Sequence, residues 1–188
     1  NRFTEDSLRL FRCCRFASQL NFSLDDMTEC ALSSCSKVVN LPAKERILVE
    51  MNKLIKTDCP SIGLYYLQQS GLGERYIEGW NSLDTDLFKK VDECPPHHRW
   101  AYLLKNLETE RVMKSCRFSN ETQAHVNQLI RYNFDDEKIN FNIKQLAISG
   151  REIQDLGFYG VEIGKVQRYI FTKIIQDLSL NTKEYCYQ

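Results

Sequence analysis

Apolar residues recur along this chain at three- and four-residue steps, the spacing of helices with one buried face. Leu8, Phe11, Arg15 and Phe16 with Leu20 mark a first helix, apolar on one side and arginine-rich on the other. Ser23-Leu24-Asp25-Asp26 has the form of a capping box with Asp in place of Glu, and opens a second helix through about Val39. Pro42 is placed at the first position of a third, striped by Ile47, Leu48, Met51, Leu54 and Ile55. Asp58-Cys59-Pro60 starts a fourth, with Leu64, Tyr65 and Leu67 inside it and Gly71 as its stop. Residues 71–97 are the least periodic and hold Gly71, Gly73, Gly79, Pro95 and Pro96, so they read as a junction between two helical subdomains. Helices resume over 99–107, after Ser119-Asn120-Glu121, after the capping box Ser149 to Glu152, over 162–178, and briefly after Asn181-Thr182. No period-2 run of β-branched residues occurs. The expected fold is all-α.

Composition narrows the class without naming a function. At 43% hydrophobic and 27% charged residues, the 188-residue chain has enough apolar content for one sizeable core or several small helical units. Lys plus Arg equals Asp plus Glu, so no overall field attracts a polyanion and any such binding must be local. No apolar run approaches the roughly 20 residues of a membrane span, and Asn1-Arg2-Phe3-Thr4-Glu5-Asp6 lacks the form of a signal peptide. A first residue other than Met reads as a fragment or a processed product. The eight cysteines, at 13, 14, 30, 35, 59, 94, 116 and 186, form no Cys-x-x-Cys pair and no zinc-finger spacing. They read as reduced and mostly buried small hydrophobes, which points to a cytoplasmic setting and to no metal site. The sequons at Asn21 and Asn120 then become chance matches, both taken as helix starts.

One local pattern carries candidate chemistry. Asp6 and Arg9 stand three apart, neighbours on one face if the segment is helical. A carboxylate accepts hydrogen bonds and a guanidinium only donates them, so together they match the Watson–Crick edges of cytosine and adenine. Uracil and guanine present the opposite polarity. The plainer alternative is a surface ion pair between Glu5 and Arg9, worth about 0.3–0.5 kcal/mol. Arg12 and Arg15, further along, would bind phosphates or hold the carboxylates in place.

The run from Glu5 to Phe22, with its Glu5-Asp6-x-x-Arg9, Arg12-x-x-Arg15-Phe16 and Leu20-Asn21-Phe22 elements, resembles the neck of bacterial-type tRNA nucleotidyltransferases (CCA-adding enzymes) and poly(A) polymerases. Arg46-Ile47, Lys53-Leu54-Ile55, Pro60-Ser61-Ile62-Gly63-Leu64 and Gly71-Leu72 are similar to that family's body. Ile148-Ser149-Gly150-Arg151-Glu152-Ile153, Leu156-Gly157, Glu162-Ile163-Gly164 and Asn181-Thr182 resemble its tail. The resemblance implies an elongated array of helical subdomains: neck 1–40, body 41–118 and an RNA-binding tail 119–188. It implies that Asp6 and Arg9 select CTP and ATP in turn, that Glu5 orients Arg9, and that Arg12 and Arg15 steady the nucleotide pocket. It also implies addition of CMP and AMP to tRNA 3′ ends, with Mg²⁺ held by an N-terminal nucleotidyltransferase head that this chain does not contain. No catalytic or metal-binding residue is therefore expected here, and the chain alone should be inactive. A poly(A) polymerase or a non-catalytic RNA-binding fragment are the alternatives.

Two segments depart from the family pattern. Lys105-Asn106 stands where phosphohydrolase-bearing members carry His-Asp, and a charged lysine cannot ligate a metal. His97 and His98 do not replace that pair, because adjacent residues of a helix point to different sides; exposed or capping roles are expected. In Gly157-Phe158-Tyr159-Gly160-Val161 the family's prolines are missing. Gly160 and Gly164 flank the start of the longest helix, whose exposed N–H groups and positive dipole end suit a phosphate. Lys165, Arg168 and Lys173 add charge along it, and the resemblance implies contact with tRNA. The alternative is a solvated helix face.

Overall fold

In the computed structural model, which describes residues 2–188, the helical periodicity is realised as fourteen α-helices and three short 3₁₀ turns, with no strand among the described residues. The chain forms two compact units, meeting in sequence at Arg131 and Tyr132. The segments read as neck and body thus fold into one unit, together with the helix that follows residue 119.

In the first unit, α1 (Arg2–Glu5) leads into α2 (Leu8–Leu20), which buries Leu8, Leu10, Phe11, Cys14 and Ala17. Against α2 pack α4 (Lys44–Ile55) and α5 (Pro60–Gln69). Gly63 permits the closest approach: a Cβ there would stand 2.5 Å from the Cys14 carbonyl oxygen and 2.7 Å from Leu54 Cδ1. Its N–H donates to Ser18 Oγ at 2.8 Å, which in turn donates to the Pro60 carbonyl. Helix α3 (Asp26–Val38) follows α2 in the chain, and the Arg75 guanidinium donates to the Ser36 carbonyl in its last turn and to that of Val39 just beyond it.

Several local expectations are corrected. The cap of α3 is Asp25, whose carboxylate accepts from the Met27 and Thr28 amides, and Ser23 lies outside the cap. Helix α4 begins two residues after Pro42, behind Ala43. Asn21 ends α2 in a left-handed conformation (φ 53°), where a short polar side chain tolerates positive φ, so it is a helix stop and not a start. Pro60 does occupy the first turn of α5, and Gly71 (φ 74°) does follow its end.

The segment 71–97 is not a junction. It folds as α6 (Leu72–Tyr76), a 3₁₀ turn at 80–82 and α7 (Thr85–Glu93), and it supplies Leu72, Tyr76, Ile77, Trp80, Phe88 and Val91 to the core. Its pieces are too short to display helical periodicity. The buried guanidinium of Arg99, at the start of α8 (Arg99–Leu104), closes this region. It donates to the carbonyls of Ile55 and Thr57 at 2.7 and 2.6 Å and to those of Cys94 and Asp92 at 3.0 and 3.2 Å. It thereby satisfies helix-end carbonyls that would otherwise be orphaned. Then follow α9 (Thr109–Ser115) and α10 (Asn120–Arg131).

The turn Pro95-Pro96-His97-His98 precedes α8, so its histidines are not spread around a helix. His98 is buried, His97 is exposed, and their rings are in edge contact at 4.2 Å between centroids. All eight cysteines are free thiols; Cys14, Cys35, Cys116 and Cys186 are buried, and Cys30 is exposed.

The second unit comprises α11 (Asp136–Asn140), α12 (Gly150–Asp155), α13 (Val161–Ile174) and α14 (Lys183–Cys186) around Leu146, Ile148, Ile153, Ile170 and Ile174. Ser149 and Glu152 form the expected capping box of α12. The Asn181 side chain accepts from the Ala147 amide at 2.8 Å and donates to the Gln145 carbonyl at 2.9 Å, tying the last segment to the start of the unit. No helix among the described residues is long and apolar enough to cross a membrane.

Candidate nucleic-acid interface

Asp6 sits in the break between α1 and α2, not inside a helix. Its carboxylate turns forward onto the Leu8 amide at 3.1 Å, while its carbonyl accepts from the Arg9 amide at 3.0 Å. The break follows from this capping, since Asp competes for backbone donors and favours helix starts. Arg9, in the first turn of α2, donates from Nη1 to the Arg2 carbonyl at 3.0 Å and to Glu5 Oε2 at 3.4 Å. The Glu5–Arg9 pair predicted from spacing is present, and it is mostly exposed. Asp6 and Arg9 are both half-exposed, and each holds its own local partner in this state. Beside them lies an open cleft of about 440 Å³, walled in part by Glu5, Asp6, Ser7, Val39, Asn40 and Arg46. Ser7 Oγ donates across it to the Asn40 carbonyl at 2.7 Å.

One turn further along α2, the arginines converge on a carboxylate that sequence reading missed. Arg15 Nε stands 2.7 Å from Glu50 Oε2, and Arg12 Nε stands 3.3 Å from Glu50 Oε1, with Lys53 at 3.7 Å. Glu50 is only 3% exposed, on the buried face of α4. Burial raises its carboxyl pKa, but the hydrogen bond and charge of Arg15, then Arg12 and Lys53, outweigh it and hold the group below its ordinary value. Arg15 also donates from Nη1 to Gln19 Oε1 and lies over the Phe16 ring at 3.9 Å. Arg15 is thus an internal strut. Arg12 keeps 45% of its side chain exposed and retains a free edge toward solvent.

In the second unit, α13 presents the other predicted cluster. Gly160 precedes it with φ 56° and ψ −120°, a conformation that glycine adopts most readily. The Gly164 position lies beside Arg168, whose Nη2 would stand in ordinary contact, at 3.9 Å, with an added Cβ. Lys165 and Arg168 are exposed on the same side, next to exposed Tyr169, and Lys173 approaches the Tyr169 ring at 5.6 Å. The structure therefore brings Gly164, Lys165 and Arg168 onto one outward face, with Gly160 at its N-terminal end.

Residues 21–83 match the family described as the probable RNA and SrmB-binding site of polymerase A. The CCA-adding enzyme of Bacillus cytotoxicus is 31% identical over 96% of this chain and 45% of its own length. The CCA-adding enzymes of Streptococcus gordonii (34% identical, 62% of this chain, 30% of its own) and Streptococcus uberis (26%, 80% and 40%) align as well. The chain belongs to the CCA-adding enzyme and poly(A) polymerase family. It spans less than half the length of these CCA-adding relatives. No solved structure matches it.

Proposed function

We propose that this chain is the base-selecting and tRNA-binding part of a CCA-adding enzyme, C-terminal to a nucleotidyltransferase head, acting in the cytoplasm on tRNA with CTP and ATP. The observation that carries this reading is the pair Asp6 and Arg9, half-exposed at the head of a helix that the buried Glu50–Arg15 bridge holds in place. A carboxylate and a guanidinium so anchored offer one acceptor and one fork of donors to a base edge. Each well-made base contact of this kind is worth about 1–3 kcal/mol of discrimination. To bind a base, Asp6 and Arg9 would exchange their present local partners for it. Within this reading 1–40 is the neck, 41–118 the body and 119–188 the tail.

Phosphoryl transfer would come from the head. The Mg²⁺ that such chemistry uses would be held there. The tail face formed by Gly160, Gly164, Lys165 and Arg168 is assigned to RNA phosphates, a recognition that reads shape and charge and suits an enzyme serving many tRNAs.

Binding of tRNA lacking its terminal CCA, compared with a linear RNA of equal length, tests this part of the reading. Tighter binding of the tRNA is expected. The double substitution Lys165→Ala and Arg168→Ala should weaken it and reduce the slope of log K against log salt by about two. Equal affinity for both RNAs, or an unchanged slope, contradicts it. A poly(A) polymerase differs in product: with a head supplied, it extends with adenylate alone.

A further inference from the structure

Three cations meet one carboxylate where α2 packs on α4. Glu50 holds Arg15 on Oε2 at 2.7 Å, and its Oε1 takes both Arg12 at 3.3 Å and Lys53 at 3.7 Å. Among the described residues, no other carboxylate pairs with any of the three. Hydrogen bonds and charge from these partners keep Glu50 ionised despite its burial. The cluster therefore carries an excess of two positive charges, in a chain whose acidic and basic residues balance.

Burial separates the roles. Glu50 and Arg15 are buried, while Arg12 and Lys53 keep 45% and 57% of their side chains exposed. Because Arg12 and Lys53 share one oxygen, neither is neutralised by a partner of its own, and an arriving anion relieves their mutual repulsion. The Arg15 guanidinium that bonds Glu50 also lies over the Phe16 ring at 3.9 Å. That ring belongs to a residue left 44% exposed. Arg9, Arg12 and Phe16 follow one another at steps of three and four residues, which sets them on one side of α2. Two part-exposed cations and a part-exposed ring thus continue the ridge that begins at Arg9.

We propose that Arg12, Lys53 and Phe16 form a docking site for one nucleotide of single-stranded RNA, with its phosphate on the two cations and its base on the open face of Phe16. Single-stranded RNA uses both charge and stacking, whereas an acidic peptide uses charge alone. The guanidinium offers paired donors to phosphate oxygens, and the ammonium adds a compact charge. Arg15 and Glu50 are positioning residues beneath the site. The inference rests on the reading of this chain as the tRNA-binding part of a CCA-adding enzyme, and it names where the strand near the growing 3′ end is held. One turn of α2 separates Arg12 from Arg9, so a strand gripped here ends beside the base-selecting pair.

Binding of a short fluorescent oligocytidylate to the full chain, followed by anisotropy across a salt series, tests the site. Lys53→Gln and Arg12→Gln should each weaken binding and flatten the slope of log K against log salt by about 0.7, the share of one phosphate contact on a single strand. Phe16→Leu should weaken binding at least about fivefold and leave the slope unchanged. All three side chains are part-exposed, and the helical circular dichroism should stay intact. Oligonucleotide affinity unchanged in both cation variants, or unchanged in Phe16→Leu, would overturn the proposal. So would a loss of CTP binding as large as the loss of oligocytidylate binding, which would give the two cations to the free nucleotide. Selection of CTP and ATP is read by incorporation instead, so failure here leaves the role of Asp6 and Arg9 standing.

Discussion

Arg15 Nε donates to Glu50 Oε2 at 2.7 Å, joining α2 to α4 through a charge pair that is almost entirely out of water. Such a pair is no strong source of net stability, because desolvation consumes much of the attraction. Breaking it by removing one partner is costly, since the other charge stays buried. It also fixes the rotation of α2, and hence where Asp6 and Arg9 point.

From this geometry, Glu50→Ala should destabilise the first unit by about 3 kcal/mol or more. Combining it with Arg15→Met, which removes the stranded charge and keeps an apolar stem, should restore much of the loss. Urea denaturation midpoints of the two variants check this. A single variant as stable as the parent would show that the pair does not hold the helices.

At Gly63, a methyl group would run into the Cys14 carbonyl, which is backbone and cannot swing aside. Gly63→Ala should therefore cost about 1–3 kcal/mol, despite the better helix propensity of alanine. Denaturant unfolding gives the number directly. A gain in stability would mean that α2 and α5 are not packed this closely.

The all-α class, the capping box at Ser149 and the helix start at Pro60 were legible in the sequence, because each follows from short-range spacing. Glu50 was missed although a signal existed: it falls three residues after Ile47 and four before Leu54, on the apolar stripe of α4. A charged residue there must find a partner in the core. Asp6 was read as helical, and its capping of Leu8 interrupts the helix instead. Residues 71–97 escaped recognition as core because Trp80 and Phe88 meet, at 5.8 Å, across pieces only three to nine residues long. The rings of His97 and His125 come within 6.2 Å, centroid to centroid, across 28 positions, and no local pattern encodes that meeting.

Glu152 predicts a pH dependence in the second unit. Hydrogen bonds from Lys183, at 2.7 Å, and from the Ser149 amide and hydroxyl lower its carboxyl to about 2 from an ordinary 4.5. A depressed carboxyl stabilises fully above its unfolded value and loses that contribution as pH falls through its folded one. Lys183 is raised above its ordinary 10.5 by the same bridge, so its contribution is complete below that value and is lost as pH rises beyond it. The difference in melting temperature between the parent and Glu152→Gln should be flat from about pH 5 to 10 and should shrink toward either extreme. A difference independent of pH would contradict the bridge.

The central claim, that Asp6 and Arg9 choose the base, is tested most directly by nucleotide incorporation. The nucleotidyltransferase head of the Bacillus cytotoxicus relative, joined ahead of this chain, would supply the chemistry, and kcat/KM for CTP, ATP, UTP and GTP would be measured on tRNA lacking CCA. In Asp6→Ala and Arg9→Ala, discrimination of CTP and ATP against UTP and GTP should fall by at least about tenfold, matching the loss of a base-edge hydrogen bond, with tRNA affinity unchanged. Discrimination that survives both substitutions intact would contradict the account.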